Sequence, residues 1–306
     1  MTAHQEYQYL LAELTTLKEM LDEIPEADII VRLSLEGRME VVKERLASYG
    51  DPPKKPIEFR LTFRGAPTVE RYGIRADFGG NAMKYFTDAV AAVGFSQTRT
   101  LGEWGVIPNR DMFNLVITGT ARGSFGFVLE EGFKDENISD AKTSVESAIN
   151  TIIAILKAST GTNDELNEAL SETDPRAIKE IHAFVKHLAD NDAVCTLQSE
   201  KDVFSFSDIK QIRQSEKNLS EDNIHEEQIE FNGYFIGYLP EKRVFEFYAE
   251  DMKAVISGKV DVTVENPEKI NDILKKQTHI RLRMRRVGVS RQATYTLLTY
   301  ELKEDL

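Results

Sequence analysis

From Tyr7 the apolar residues fall at Tyr7, Leu10, Leu14, Leu17, Leu21 and Ile24, steps of three and four that draw one narrow seam along a helix. Pro25 ends it. A second helix is announced by Ser34 as N-cap, with Leu35, Met39, Val42 and Leu46 repeating the spacing. The two segments predict a helical hairpin over 1–48. Its seams either close on one another or on the rest of the chain, or else Leu10, Leu14, Leu17 and Leu21 pair with a second copy and make a homo-oligomer through a short coiled coil.

Tyr49 to Pro56 reads YGDPPKKP, and its three prolines and glycine mark a linker. A central module is expected over 57–214. Ile57, Phe59, Leu61 and Phe63 alternate with polar residues, the period of a strand with one wet face. A short strand is predicted over Gly73–Phe78, with Gly79-Gly80-Asn81 leading into a helix over Ala82–Val93. Met112–Thr118 and Ser124–Glu130 read as strands joined by a loop over Gly119–Gly123, which makes an antiparallel α+β unit. A helical block follows: Ser139–Ala158 with Val145, Ile149, Ile152 and Leu156 on one face, then Pro175–Ala189, capped by Asp174 with proline at the first turn. Val194–Leu197 and Val203–Phe206 fit a short hairpin, and the polar run Ser215–Asn223 reads as a second linker.

The last segment, 222–306, carries strand-like runs at His225–Tyr238, Arg243–Ala249 and Ala254–Val260. A helix signalled by Asn266-Pro267 comes next, and then strands at Thr278–Val287 and Gln292–Glu301. The order β-β-β-α-β-β, with a long first strand interrupted by Gly233 and Gly237, resembles an oligonucleotide/oligosaccharide-binding (OB) barrel. An SH3-like small barrel competes, because element order does not fix strand pairing. The fold class expected is therefore α+β: a helical hairpin, a small antiparallel α+β module with helices, and an OB- or SH3-like β-barrel.

Along Thr278–Val287, His279, Arg281, Arg283 and Arg285 alternate with Ile280, Leu282 and Met284, so one face of a single strand is basic. Arginine suits phosphate because its planar fork donates two parallel hydrogen bonds. Tyr234, Phe235, Tyr238, Phe245, Phe247 and Tyr248 stand on neighbouring strands, and any that face outward can stack bases. The opposing reading puts the aromatics in the core and pairs the arginines across strands with Glu230, Glu246 or Glu301.

Composition narrows the classes. With 306 residues, 41% hydrophobic and 29% charged, the chain has the make-up of a globular protein rather than a disordered or fibrous one. No run approaches the roughly 18 to 20 apolar residues that span a bilayer, and Met1–Glu6 carries no secretory pattern. With the single Cys195, these features set the expectation of a cytoplasmic protein without disulfides and without a membrane partner.

Strong catalytic signatures are lacking. There is no GxxxxGK[ST], GxGxxG or GxSxG pattern. His182 and His187, five apart, stand roughly 140° from each other around a helix, and no two histidines are spaced to chelate one ion. No cofactor and no metal site are expected. One pattern stands out: Arg176 and His182 form an Arg-x5-His spacing that resembles the R-x4-6-H signature of HEPN ribonucleases. That resemblance implies RNA cleavage by the two side chains on paired helices.

The favoured expectation is a non-enzymatic binding or assembly protein. It oligomerises through the N-terminal helices and presents Arg281, Arg283, Arg285 and His279 to single-stranded nucleic acid or an acidic protein partner. The alternatives are an RNA-cleaving effector using Arg176 and His182, or a subunit of a bacterial stress or phage-defence system. The net charge of −13 opposes polyanions over the molecule as a whole. Between Ile224 and Glu301, however, 12 cations balance 12 anions, so the acidity resides in the rest of the chain.

Overall fold

The computed structural model describes residues 3–52, 57–69, 72–99, 101–102, 105–121, 125–132, 145–290 and 293–303. The predictions made over 53–56, 122–124, 139–144 and 291–292 lie outside the described residues. The chain divides into two compact units, Met1–Ile57 and Glu58–Leu306.

In the first unit α1 (Ala3–Glu23) and α2 (Ile29–Ala47) form an antiparallel hairpin. Leu10, Met39 and Val42 are buried, while Leu14, Leu17, Leu21, Leu35 and Leu46 are half-buried between the helices. Of the arrangements that the spacing allows, the leucine seam here faces α2 of its own chain. Arg38 and Arg45 donate to Glu13 and Glu6 at 2.7 and 2.8 Å, and Arg32 caps the end of α1 through the Leu21 and Ile24 carbonyls. α2 starts at Ile29, before Ser34, because the turn after Pro25 closes at once: Asp28 N–H donates to Pro25 O at 3.0 Å, and Arg32 N–H to Asp28 O at 3.1 Å. That early start leaves Ile29, Ile30 and Leu33 exposed, Ile30 at 87%.

The second unit mixes helix and sheet. Its first half contains β1 (Glu58–Gly65), β2 (Thr68–Val69), β3 (Gly73–Ile74), α3 (Ala76–Ser96), a 3-10 turn at Arg110–Phe113, β4 (Leu115–Ala121) and β5 (Phe125–Glu131). The helical block adds α4 (Val145–Ser159), α5 (Asn163–Ala169), α6 (Pro175–Asp190), the hairpin β6 (Ala193–Gln198) and β7 (Val203–Ser205), and α7 (Ile209–Leu219). Five of these strands make one antiparallel sheet in the order β4-β5-β1-β6-β7, and β2 and β3 pair separately. Phe59, Leu61 and Phe63 of β1 are fully buried on its helix-covered face, where Phe63 meets Phe78 of α3 edge-on at 5.4 Å.

Several sequence expectations change here. The strand predicted over Gly73–Phe78 is two residues long, and Phe78, Gly79 and Gly80 already belong to α3. The strand predicted over Met112–Thr118 begins at Leu115, after the 3-10 turn, and runs through Gly119 to Ala121. α5 was not anticipated, although Thr162 and Glu165 form a complete capping box at its start. The polar run Ser215–Asn223 is no linker: its first half is the end of α7, with Ser215, Asn218 and Leu219 buried. Ser159 and Ser215 hydroxyls meet at 2.5 Å and Asn218 donates to Ser159 O at 2.9 Å, so polar residues here tie α7 to α4.

β8 (Ile224–Leu239), β9 (Val244–Ala249), β10 (Ala254–Val260), β11 (Thr278–Val287) and β12 (Thr294–Leu302) close into a barrel in the order β10-β12-β11-β8-β9. Between β10 and β11 the expected helix is a 3-10 segment, Pro267–Ile273, whose Ile270 and Ile273 plug the core. β8 bends twice. Gly233 lies so close to β9 that a Cβ would collide with the Tyr248 carbonyl oxygen, and the register shifts between Phe235 and Gly237.

Candidate binding surfaces of the barrel

β11 carries its arginines on one face, as alternation requires, but that face passes through three environments. Side-chain exposure falls from 48% at Arg281 to 19% at Arg283 and 4% at Arg285. At the open end Arg281 pairs with Glu230, its cross-strand neighbour on β8, at 2.8 Å. His279 sits between Asn232 Oδ1 at 3.1 Å and Glu230 Oε2 at 3.5 Å. The Arg281 guanidinium, with His279 beside it, holds the exposed Glu230 carboxyl below its usual range. At the other end Arg285 is buried against the helical block. It bonds Glu226 and the Leu170 carbonyl, and it donates to Thr173 O at 2.7 Å. Burial lowers its pKa and Glu226 raises it. The sequence expectation that Arg285 meets an external partner is corrected accordingly: its guanidinium is part of the seam between barrel and helices.

The aromatic residues sort by the same alternation. Phe235, Tyr238, Phe245 and Phe247 are buried in the barrel core. Tyr234 and Tyr248 point outward, directly opposite each other on β8 and β9, with rings stacked at 5.3 Å and 27°. Val255 of β10 continues their row and is exposed. On the other side Asn232 leads across to His279 and Arg281. A strip of stacked tyrosines, imidazole and guanidinium thus crosses β9, β8 and β11.

Two clefts flank Arg283 where the barrel meets the helical block. One, about 680 Å³, is lined by Thr173, Asp174, Lys242, Lys259 and Asp261 among others. The second, about 650 Å³, is lined by Arg176, Lys179, His182, Glu221 and Glu226 among others. Asp174 and Arg283 belong to the walls of both. Asp174 caps α6 through Arg176 N–H at 2.8 Å and also accepts from Leu101 N–H at 3.2 Å. Burial pushes its carboxyl above the ordinary range, against these two N–H donors and Arg283, which pull it down.

Arg176 and His182 share the second cleft, but both are engaged. Arg176 donates to the Gly102 and Gly105 carbonyls, and His182 Nε2 lies 3.3 Å from Glu216. Cys195 is buried, and burial pushes its thiol up to about 12, the opposite of an activated nucleophile. Among the described residues no group of three His, Cys, Asp or Glu side chains is placed to hold a metal ion, and no helix is long and apolar enough to cross a membrane. The cluster of Asp174 and Asp261 around Arg283 was not foreseen, since its members lie far apart in sequence; Asp174 was visible only as a helix cap.

Comparison with protein-family models, curated proteins and solved structures gave no match.

Proposed function

We propose that the chain is a binding protein whose C-terminal barrel is of the OB type and takes single-stranded nucleic acid across β9, β8 and β11. The observation that carries this reading is the Tyr234–Tyr248 stack on the outer face of the barrel, with His279 and Arg281 farther along the same face, opposite Asn232 and Glu230 of β8. Aromatic faces hold bases without regard to sequence, and a neighbouring cation holds the backbone. The OB assignment rests on strand order: numbered from β8, the barrel runs 1-2-3-5-4 and closes on 1, and its third and fifth strands, β10 and β12, pair in parallel. Glu230 does not block the surface. An exposed carboxylate–guanidinium pair is worth about 0–1 kcal/mol, so a phosphate can take its place on Arg281.

Titration of fluorescent single-stranded DNA and RNA at several salt concentrations tests the proposal. Binding that weakens with salt and with Tyr248→Ala supports it; no binding, or binding indifferent to both, sinks it. With the leucine seam facing α2 of its own chain, the reading places any self-assembly through this element on the outer side of α2, where Ile30, Leu33 and Val41 are exposed.

A further inference from the structure

We infer that Arg283 anchors a second site that takes a phosphoryl group in the cleft between barrel and helical block. Arg283 is four-fifths shielded from solvent, yet among the described residues its guanidinium donates no hydrogen bond; its one ion-pair contact, with Asp261, stands at 3.8 Å. Its donors are left open to the clefts it lines, where water or the oxygens of a ligand are the acceptors within reach.

The carboxylates around it are occupied elsewhere. Asp174 accepts from the Arg176 and Leu101 N–H groups, and Asp261 Oδ1 accepts from the Thr263 N–H and hydroxyl at 3.0 and 2.7 Å. They balance the charge of Arg283 without using its fork. Arg285, one step along the same face, shows the contrast, because Glu226 and two carbonyls consume its donors. The fork of Arg283 instead lines two clefts of about 680 and 650 Å³, a size that suits small ligands. Lys242 and Lys259 stand on the wall of the larger one, among carboxylates that include Glu172, with which the Lys259 ammonium pairs. The planar fork of Arg283 is the donor set that a pair of phosphate oxygens takes, with Lys242 as the second cation on the wall.

The site is independent of the tyrosine strip. Its occupant carries a phosphoryl group, either on a small molecule or at the end of an oligonucleotide. Calorimetric titration with inorganic phosphate, adenosine 5′-monophosphate and adenosine reads the first source. A single-stranded oligonucleotide compared with and without its terminal phosphate reads the second. The expected result is binding by at least one phosphate-bearing probe, a loss of tenfold or more in Arg283→Gln, and no change in Arg281→Gln, which lies outside the cleft. Arg283→Lys keeps the charge and removes the fork; it decides the matter if Arg283→Gln fails to fold, and the same tenfold loss is expected. Equal affinity in wild type and a folded Arg283 variant overturns the inference, as does the absence of binding for every phosphate probe at millimolar concentration. Oligonucleotide binding that ignores the terminal phosphate would leave the tyrosine strip standing and, with silent small probes, remove this site.

Discussion

The guanidinium of Arg285, on strand β11 of the barrel, donates to the carbonyl of Thr173, the residue before the cap of α6, at 2.7 Å. This bond joins positions more than a hundred residues apart and lies in a seam that also contains the Leu170 carbonyl and Glu226. Removing one partner of such a buried ionic contact leaves the others uncompensated and costs about 3–5 kcal/mol. Arg285→Met is therefore expected to lose about 3 kcal/mol in urea denaturation, whereas Arg281→Met, on the exposed part of the same strand, should change stability by less than about 1 kcal/mol.

The outward tyrosines should separate binding from folding. Tyr248→Ala removes a half-exposed ring from the barrel surface and is expected to weaken single-stranded nucleic acid by about 1–3 kcal/mol per stacked base. Its salt dependence should stay unchanged. Arg281→Ser should do the reverse, lowering the slope of log K against log salt by about one.

Asp174 gives a pH dependence with a definite sign. Its folded pKa is raised by burial, so the folded state holds this proton more tightly than the unfolded state. The contribution to stability is full below the unfolded value and is lost as pH rises through the folded one. Asp174→Asn keeps an N-cap acceptor and removes the titration. Measured by denaturant unfolding from about pH 3.5 upward, the stability of wild type relative to Asp174→Asn should fall as pH rises; a constant or rising difference refutes the assignment.

The thiol of Cys195 should report global opening. It is buried on β6 and its pKa is pushed up to about 12, so labelling by a thiol reagent should proceed only at the rate at which the sheet opens and should speed up with denaturant in step with unfolding.

In the hairpin, Leu10→Ala and Val42→Ala are each expected to cost about 2–5 kcal/mol of the stability of that element. Neither should change the molar mass seen by light scattering, because the seam they belong to is closed within one chain.

The periodic elements were legible because each buries one face. The seams of α1 and α2, the alternation in β1 and the barrel strands all declare themselves by which positions avoid water. What stayed hidden depended on partners distant in sequence. Ser215 and Asn218 look like linker residues until Ser159 is placed beside them. Arg285 looks as free as Arg281, since a strand's alternation tells which way a side chain points and nothing about what another element lays over it. The outward pair was sortable in principle: in β9, Tyr248 shares parity with Glu246, while Phe245 and Phe247 take the other face. Asp174 was legible as a cap but not as the neighbour of Arg283, and the hairpin's closure on itself was one of two arrangements its spacing allowed.

A strand whose open end is exposed and whose far end is riveted to a helical block makes the barrel a poor candidate for transplantation. Cut out as 222–306, it would carry the Arg285 charge into water or into an unmatched hollow, and Arg283 would lose the wall contributed by Asp174. Fragments designed on the apparent polar break near Ser215 would sever α7 as well. Joining this barrel to any other helical partner would require rebuilding one face of β11, where Arg283 and Arg285 meet the helices.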